Sequence, residues 1–423
     1  MHDDPLVREL TASEKQWLPQ SSLICLAARL SESLSDVLTD DILKQEVKRT
    51  CTVNPFLQVA IDTSALCYKR NGGITITSET LEGDGVDGIR KAAQRQLELG
   101  IDREACLARV HLVHHRPGGG SSHLLLVGDH LCFDGKSLMI WLNDMIWLND
   151  IASARASVEA AATALDFVDW TERIPVNVTF PSPFESPVTS IKLPTKAPQP
   201  EELIGSIVED VVVNVDADVF SRLKVRSKEM GTTLNAPLMV SFFAAMADTA
   251  LRQGAVGIVA DTVDVRSVCA VDLRPQLGLP ANYMNNSASV VPVHATFPRA
   301  DEKVDGSGLW PVAQAAQAVM LENIDHGEAY RLHDITKRGA FAEFGPYFDI
   351  LCLWSNMGSL STPGIEFVEV HLRGSGSNPI ISAHPITVGS ALALTLTFSP
   401  AFHDRETVEY AAARFLHHAG LMA

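Results

Sequence analysis

Gly128-Asp129-His130-Leu131-Cys132-Phe133-Asp134-Gly135 is the stretch on which the reading of this chain turns. It closes a strand-like run, Ser122 to Asp129, so His130 falls at a strand end, where a loop can present a reactive side chain. Asp134 lies four residues further on, and Gly135 permits a tight return. A histidine with its ordinary pKa near 6.5 can be neutral at cellular pH and take a proton from a hydroxyl or amine. Taken alone the pattern fixes only three positions, and a histidine at a strand end also has a purely structural use.

Working outward, Ala105 to His114 is a second strand-like run, joined to the first through Pro117-Gly118-Gly119-Gly120, which predicts a hairpin. Beyond Gly135 an apolar helix is predicted from about Ser137, with Trp141 and Trp147 on it; IWLND occurs twice there, at Ile140 to Asp144 and Ile146 to Asp150, a six-residue offset that matches no helical period. Upstream, the spacing predicts helices at Asp40 to Arg49 and Gly88 to Leu99 and strands at Phe56 to Ile61 and Ile74 to Thr77. Prolines at 175, 181, 183, 187, 194, 198 and 200 disfavour both helix and central strand and mark a crossover between two halves. The second half opens with a predicted strand, Ile207 to Val215, and helices Asp218 to Met230 and Leu234 to Arg252. Strands follow at Val265 to Asp272, Ser287 to Val293, Phe348 to Trp354, Ile365 to His371 and Ala391 to Phe398, before a closing helix from Arg405 to His418. The mixture is α/β with irregular connections, unlike a simple Rossmann alternation.

With 423 residues the chain exceeds the size at which single cores usually stop growing, so two domains are expected, over 1–176 and 205–423 with a Pro-rich linker at 177–204. A composition of 46% hydrophobic and 20% charged residues is that of a globular protein. The formal net charge of −17 disfavours nucleic acid and anionic lipid as partners, and an anionic co-substrate would need a few well placed cations or backbone amides. Seven scattered cysteines, none in a CxxC spacing, suggest core thiols rather than disulfides or a zinc site. The acidic start, Met1-His2-Asp3-Asp4, lacks the build of a signal peptide, and the longest apolar stretches are shorter than a membrane span; a cytoplasmic location is expected. His114 and His115 have no ligand at metal spacing, and His417 and His418 suit the last turn of a helix. No Walker sequence or GxSxG elbow occurs.

Three further segments follow the histidine motif in order. They are Val271-Asp272-Leu273-Arg274-Pro275, then Asn282-Tyr283-Met284-Asn285-Asn286 with Val290-Val291-Pro292-Val293, then Trp354-Ser355-Asn356-Met357-Gly358. The ordered set resembles the coenzyme A-dependent acyltransferase superfamily, which holds chloramphenicol acetyltransferase, nonribosomal peptide condensation domains, plant BAHD acyltransferases, fungal alcohol acetyltransferases and mycobacterial polyketide-associated acyltransferases. The resemblance spans nearly the whole chain. His130, Asp134 and Gly135 match the family's HxxxDG, Asp272-Leu273-Arg274 its DLR segment, Asn286 the asparagine of its GN segment, and Ser355-Asn356-Met357-Gly358 its SNxG element. Three departures stand out: Asp129 where condensation domains carry a first histidine, Asn285 where the GN segment has glycine, and no DFGWG motif of the plant branch.

What the resemblance implies is two chloramphenicol acetyltransferase-like domains of mixed sheets in one chain, with an interdomain tunnel and His130 as general base at its middle. It implies Asp134 paired with Arg274 to hold the histidine loop, and Asn286 in a segment that helps line the tunnel. An oxyanion would call for donors, for which a backbone amide near Gly135 and the side chains of Ser355 or Asn356 are candidates, although Ser355 and Asn356 equally suit tying a turn to its strand. The implied reaction moves an acyl group from acyl-CoA or a carrier-protein thioester to a hydroxyl or amine of a natural-product or lipid acceptor. No metal and no tightly bound cofactor are implied, and a monomer suffices, with an acyl carrier protein as a possible partner. Two other readings fit the same residues: a cyclisation or other proton-transfer reaction on this fold, and a binding protein that has lost activity, against which stand His130, Asp134 and Arg274 all being present.

Overall fold

A computed structural model describes residues 6–19, 22–70, 72–81, 86–115, 121–146, 170–174, 190–198, 208–255, 262–298, 306–339, 350–374 and 379–423. The Gly-rich turn at 117–120, the second IWLND copy from Trp147 onward and all of the crossover except 190–198 lie outside these residues. In chain order the first half contributes β1 (Leu6–Glu9), α1 (Ala12–Trp17), β2 (Leu23–Leu30), α2 (Glu32–Val37), α3 (Asp40–Val53), β3 (Val59–Asp62), β4 (Cys67–Arg70), β5 (Ile74–Leu81), α4 (Val86–Glu98), β6 (Ala108–His115), β7 (His123–Asp129) and α5 (Gly135–Ile146). The second contributes β8 (Glu209–Val215), α6 (Ala217–Glu229), α7 (Asn235–Arg252), β9 (Thr262–Asp272), β10 (Ala288–Pro298), α8 (Gly306–Asp325), α9 (Glu328–Arg338), β11 (Cys352–Trp354), β12 (Gly358–Leu360), β13 (Ile365–Arg373), β14 (Ile381–Val388), β15 (Ala391–Phe398) and α10 (Arg405–Met422).

Among the described residues the strands form two large sheets, ordered β13-β2-β7-β6-β5 and β10-β9-β11-β14-β15-β8, with β12 also on β14 and a small β1-β4-β3 sheet beside them. Each large sheet is mixed: β5 and β6 run parallel in the first, β9, β11 and β14 in the second. Strand β13 comes from the second half of the chain yet pairs antiparallel with β2 in the first sheet, so the halves are joined by backbone hydrogen bonds as well as side chains.

Strand β7, which leads to His130, is buried on both faces. Leu124 and Leu126 enter the core shared with α5, whereas Leu125 and Val127 face the Ile89, Ala93 and Leu97 side of α4. That two-sided burial produces the unbroken apolar run LLLV, as expected for a central strand. The core behind His130 also draws Met284, Met357, Leu360, Ile386 and Val388 from the second half, making the seam between the halves apolar.

Where a strand is predicted from Phe56, the chain instead makes a 3₁₀ turn at Pro55–Gln58 and becomes extended only at Val59. Pro55 opens that turn, because its fixed φ and missing donor suit a first helical position. Strand β14 carries Pro385 inside the large sheet, a residue that argues against a central strand. The neighbouring edge explains it. Trp354 pairs with Ala383 but Gly358 with Ile386, so four steps on one side face three on the other, and the ladder bulges opposite Pro385. The helix Asn235–Arg252 is nearly all buried, and no helix among the described residues is long and apolar enough to cross a membrane.

Candidate active site

Asp134 begins the site because it does three jobs at once. Its Oδ1 accepts from the amide of Ser137 at 2.7 Å, an N-cap bond that starts α5, and from the Ser137 hydroxyl at 2.7 Å. Its Oδ2 accepts from the amide of Ser287 at 2.9 Å. Both oxygens meet the Arg274 guanidinium, Nη1 to Oδ2 at 2.9 Å and Nη2 to Oδ1 at 3.0 Å. Burial alone would raise the carboxyl's pKa, but the charge and hydrogen bonds of Arg274 and Ser137 outweigh it and hold it below the usual carboxylate range. This aspartate is ionised and fully occupied.

Arg274 reaches it from the second half. Strands β9 and β10 pair from Asp272 and Ala288 outward, and the connection between them folds back over the histidine loop. Nε of Arg274 donates to the Tyr283 carbonyl at 2.7 Å, Nη1 also to Asp272 at 2.8 Å, and Nη2 also to the Ser137 hydroxyl at 3.0 Å and the Asn285 carbonyl at 2.7 Å. The side chain is only 1% exposed, and planar bidentate pairing with these extra acceptors is the arrangement in which a buried charge is tolerated.

Asn286 continues the clamp. Its amide donates to the Cys132 carbonyl at 2.7 Å and its Nδ2 to the His130 carbonyl at 2.6 Å, while its own carbonyl accepts from the Trp170 indole at 3.1 Å. The loop that carries His130 is thus gripped along its backbone from the opposite half.

His130 is half-buried and its amide donates to the Ser22 carbonyl at 2.9 Å. Its Nδ1 lies 3.0 Å from the Phe133 carbonyl. A carbonyl can only accept, so Nδ1 bears the proton and, in the neutral ring, Nε2 carries the lone pair.

Gly135 is favoured by contact rather than by its backbone angles. A Cβ there would fall 1.8 Å from Cε and 2.5 Å from Sδ of Met357, which closes over the start of α5. Met357 in turn is tied by its amide to the Pro385 carbonyl at 3.0 Å, and Ser355 by its amide to Ala383 at 2.8 Å. Ser355 and Asn356 are therefore the bulge opposite Pro385. Asn356 is exposed and engaged in the turn: its Oδ1 accepts from the Gly358 amide at 2.9 Å and its Nδ2 donates to Asn235 at 2.7 Å.

One residue in this region left no motif in the sequence. His384, beside Pro385 on β14, lies on the strand face of Ile386 and Val388, the face that enters the core behind His130. Its Nε2 lies 3.2 Å from the Thr397 hydroxyl. Burial, and then the repulsion that His130 would exert, push its pKa down to about 3, so it stays neutral. Among the described residues no group of three or more histidine, cysteine or carboxylate side chains could hold a metal.

The fold of the whole chain is that of the condensation-domain and acyltransferase structures, built of two chloramphenicol acetyltransferase-like halves. It is similar to the trichothecene 15-O-acetyltransferase TRI3 of Fusarium sporotrichioides, with a TM-score of 0.65 at 12% identity over 98% of this chain and 95% of that one. It is similar to the epimerization domain from the third module of tyrocidine synthetase B, with a TM-score of 0.64 at 14% identity over 99% and 97% of the chains. The polyketide synthase associated protein 5 of Mycobacterium tuberculosis gives 0.59 at 15% identity, with 98% of each chain covered. No family model and no curated protein matches the sequence.

Proposed function

We propose that the protein is an acyl-thioester-dependent O- or N-acyltransferase with His130 as its general base. The observation that supports this most is the Nδ1 to Phe133 contact, which leaves Nε2 of a half-buried ring as the basic atom. Asp134, enclosed by Arg274 and Ser137, has no capacity left for proton transfer and acts as the brace of the loop.

In this reading Nε2 takes the proton of the acceptor hydroxyl or amine as its oxygen or nitrogen attacks the thioester carbonyl. The imidazolium that forms is stabilised by the Phe133 carbonyl, and it returns the proton to the departing thiolate as the tetrahedral intermediate collapses. The oxyanion calls for nearby donors. The Gly135 amide and the Ser355 hydroxyl are the proposed ones, since Asn356 is spent on its turn. Acyl-CoA or a carrier-protein thioester is the co-substrate, and a monomer in the cytoplasm is the working form.

The test is thiol release from acetyl, medium-chain and long-chain acyl thioesters with pooled alcohols and amines. His130→Ala is expected to lose about 10²- to 10⁴-fold in turnover with an unchanged melting temperature. Wild-type turnover in that variant would end the proposal. The likeness to an epimerization domain favours a second reading, proton transfer without acyl transfer, in which turnover of the natural substrate releases no free thiol.

A further inference from the structure

We propose that Arg103 and Asp129 form a second positioning pair for His130, acting through the Phe133 carbonyl; this rests on the reading of His130 as the base. Asp129 occupies the place at which condensation domains carry their first histidine, and the clamp from the second half does not use it. Its carboxylate is 2% exposed and meets Arg103, Nε to Oδ2 at 2.5 Å and Nη2 to Oδ1 at 3.1 Å. Arg103 is itself anchored: Nη1 donates to the Leu18 carbonyl, and its own carbonyl accepts from the Ile61 amide at 2.7 Å.

The route from this pair to the chemistry is short. Asp129 Oδ1 also accepts from the Leu131 amide at 3.0 Å, and its carbonyl accepts from the amides of Cys132 at 3.0 Å and Phe133 at 2.9 Å. Asp129 therefore holds the amides of the turn at 131, 132 and 133, while Asn286 holds its carbonyls at 130 and 132. That turn aims the Phe133 carbonyl at His130 Nδ1, and this contact decides which ring nitrogen is basic. Asp134 and Asn286 fix the loop from the far side, whereas Asp129 holds the Phe133 residue itself through its amide. Arg103 and Asp129 belong wholly to the first half, so the tautomer is set there while the loop's docking is set by the second half.

Asp129→Asn keeps the size and an acceptor for Leu131 but removes the charge that Arg103 holds. Two readouts decide. Nitrogen NMR of the His130 ring is expected to show one tautomer, with the proton on Nδ1, in the wild type and a mixture in the variant. Turnover per folded molecule is expected to fall about 10- to 100-fold, the usual range for a group that orients another, with the KM for the acyl thioester unchanged. A merely structural pair would lower the melting temperature yet leave tautomer and turnover as in wild type, and that result would overturn the proposal. Should Asp129→Asn fail to fold, Arg103→Lys, which keeps the charge and loses the bidentate fork, is read by the same two measurements with the same two meanings. If the wild type releases no thiol from any acyl thioester, the acyltransferase reading fails while the tautomer measurement still decides this one.

Discussion

Two ionic joints built in different ways bridge the two large sheets. At the site, Arg274 of the second half holds Asp134 of the first, and every polar atom of the pair is matched by hydrogen bonds at 2.7–3.0 Å. Away from it, Asp210 on β8 meets His371 on the crossing strand β13 at 2.8 Å; His371 also faces Glu369 at 3.3 Å, and Glu369 is held by Arg90 of α4. The second joint is less complete: among the described residues Asp210 Oδ1 has no hydrogen-bond partner, and the His371 to Glu369 contact lacks hydrogen-bond alignment. Burial lowers the affinity of His371 for a proton, yet the two carboxylates overcome it and raise its pKa to about 9. Arginine keeps the joint at the chemistry charged at any working pH, whereas histidine makes the distant joint titratable.

Breaking the joints one at a time should show the difference in size. Arg274→Ala strands the Asp134 carboxylate in the core and is expected to cost on the order of 3 to 5 kcal/mol in urea unfolding. Asp210→Asn leaves His371 with Glu369 and is expected to cost about 1 to 2 kcal/mol. Equal losses would mean that the hydrogen bonds around Arg274 add nothing to its joint.

Titration should separate them further. The raised pKa of His371 means its contribution is complete below the unfolded value near 6.5 and is lost as pH rises through about 9, a decline of roughly 3 kcal/mol in stability. His371→Gln should flatten that alkaline slope. The depressed pKa of Asp134 acts oppositely: its contribution is present above about pH 4 and is lost as pH falls below that. Unfolding free energy measured from about pH 2 to 10 shows both limbs, and an alkaline slope that survives His371→Gln would remove His371 as its source.

How much of this was legible beforehand depends on whether a residue's role is local. Strands β7 and β15 and the helices α3, α4 and α10 follow from periodicity and turn residues, and β15 spans the same residues in sequence and structure. The pairing of Asp134 with Arg274 was implied by motif resemblance, since 140 residues separate them and no local pattern links them. Strand β14 went unread because Pro385 argues against a central strand, and only the bulge at Ser355 to Met357, set by a partner strand, removes the objection. With that strand unread, His384 stays hidden. Helices α8 and α9 were missed as well, and Pro311 lies inside the first of them. Asp129 was noted as a departure from a family pattern, but Arg103 carries no motif and is joined to it only by the fold. The side-chain alternation that places β13 beside β2 is equally invisible, because a strand's partner is chosen by burial and not by its own sequence.

The smallest expected effect concerns the apolar part of the joint at the site, where Met357 of the second half covers Gly135 of the first. An alanine at 135 would drive its Cβ into Cε and Sδ of Met357. Those atoms are the far end of a flexible side chain, so the methionine can turn away at a cost of about 1 to 2 kcal/mol rather than unfolding the seam. Against that cost stands a smaller gain: alanine is preferred to glycine by roughly 0.5 to 1 kcal/mol inside a helix, and by less at Gly135, the first residue of α5. The two terms separate in a double-mutant cycle. Gly135→Ala should destabilise the wild type, yet be neutral or slightly stabilising in a Met357→Ala background, where the obstacle is gone. The same cost in both backgrounds would show that position 135 demands glycine for its backbone, and that Met357 merely happens to lie above it.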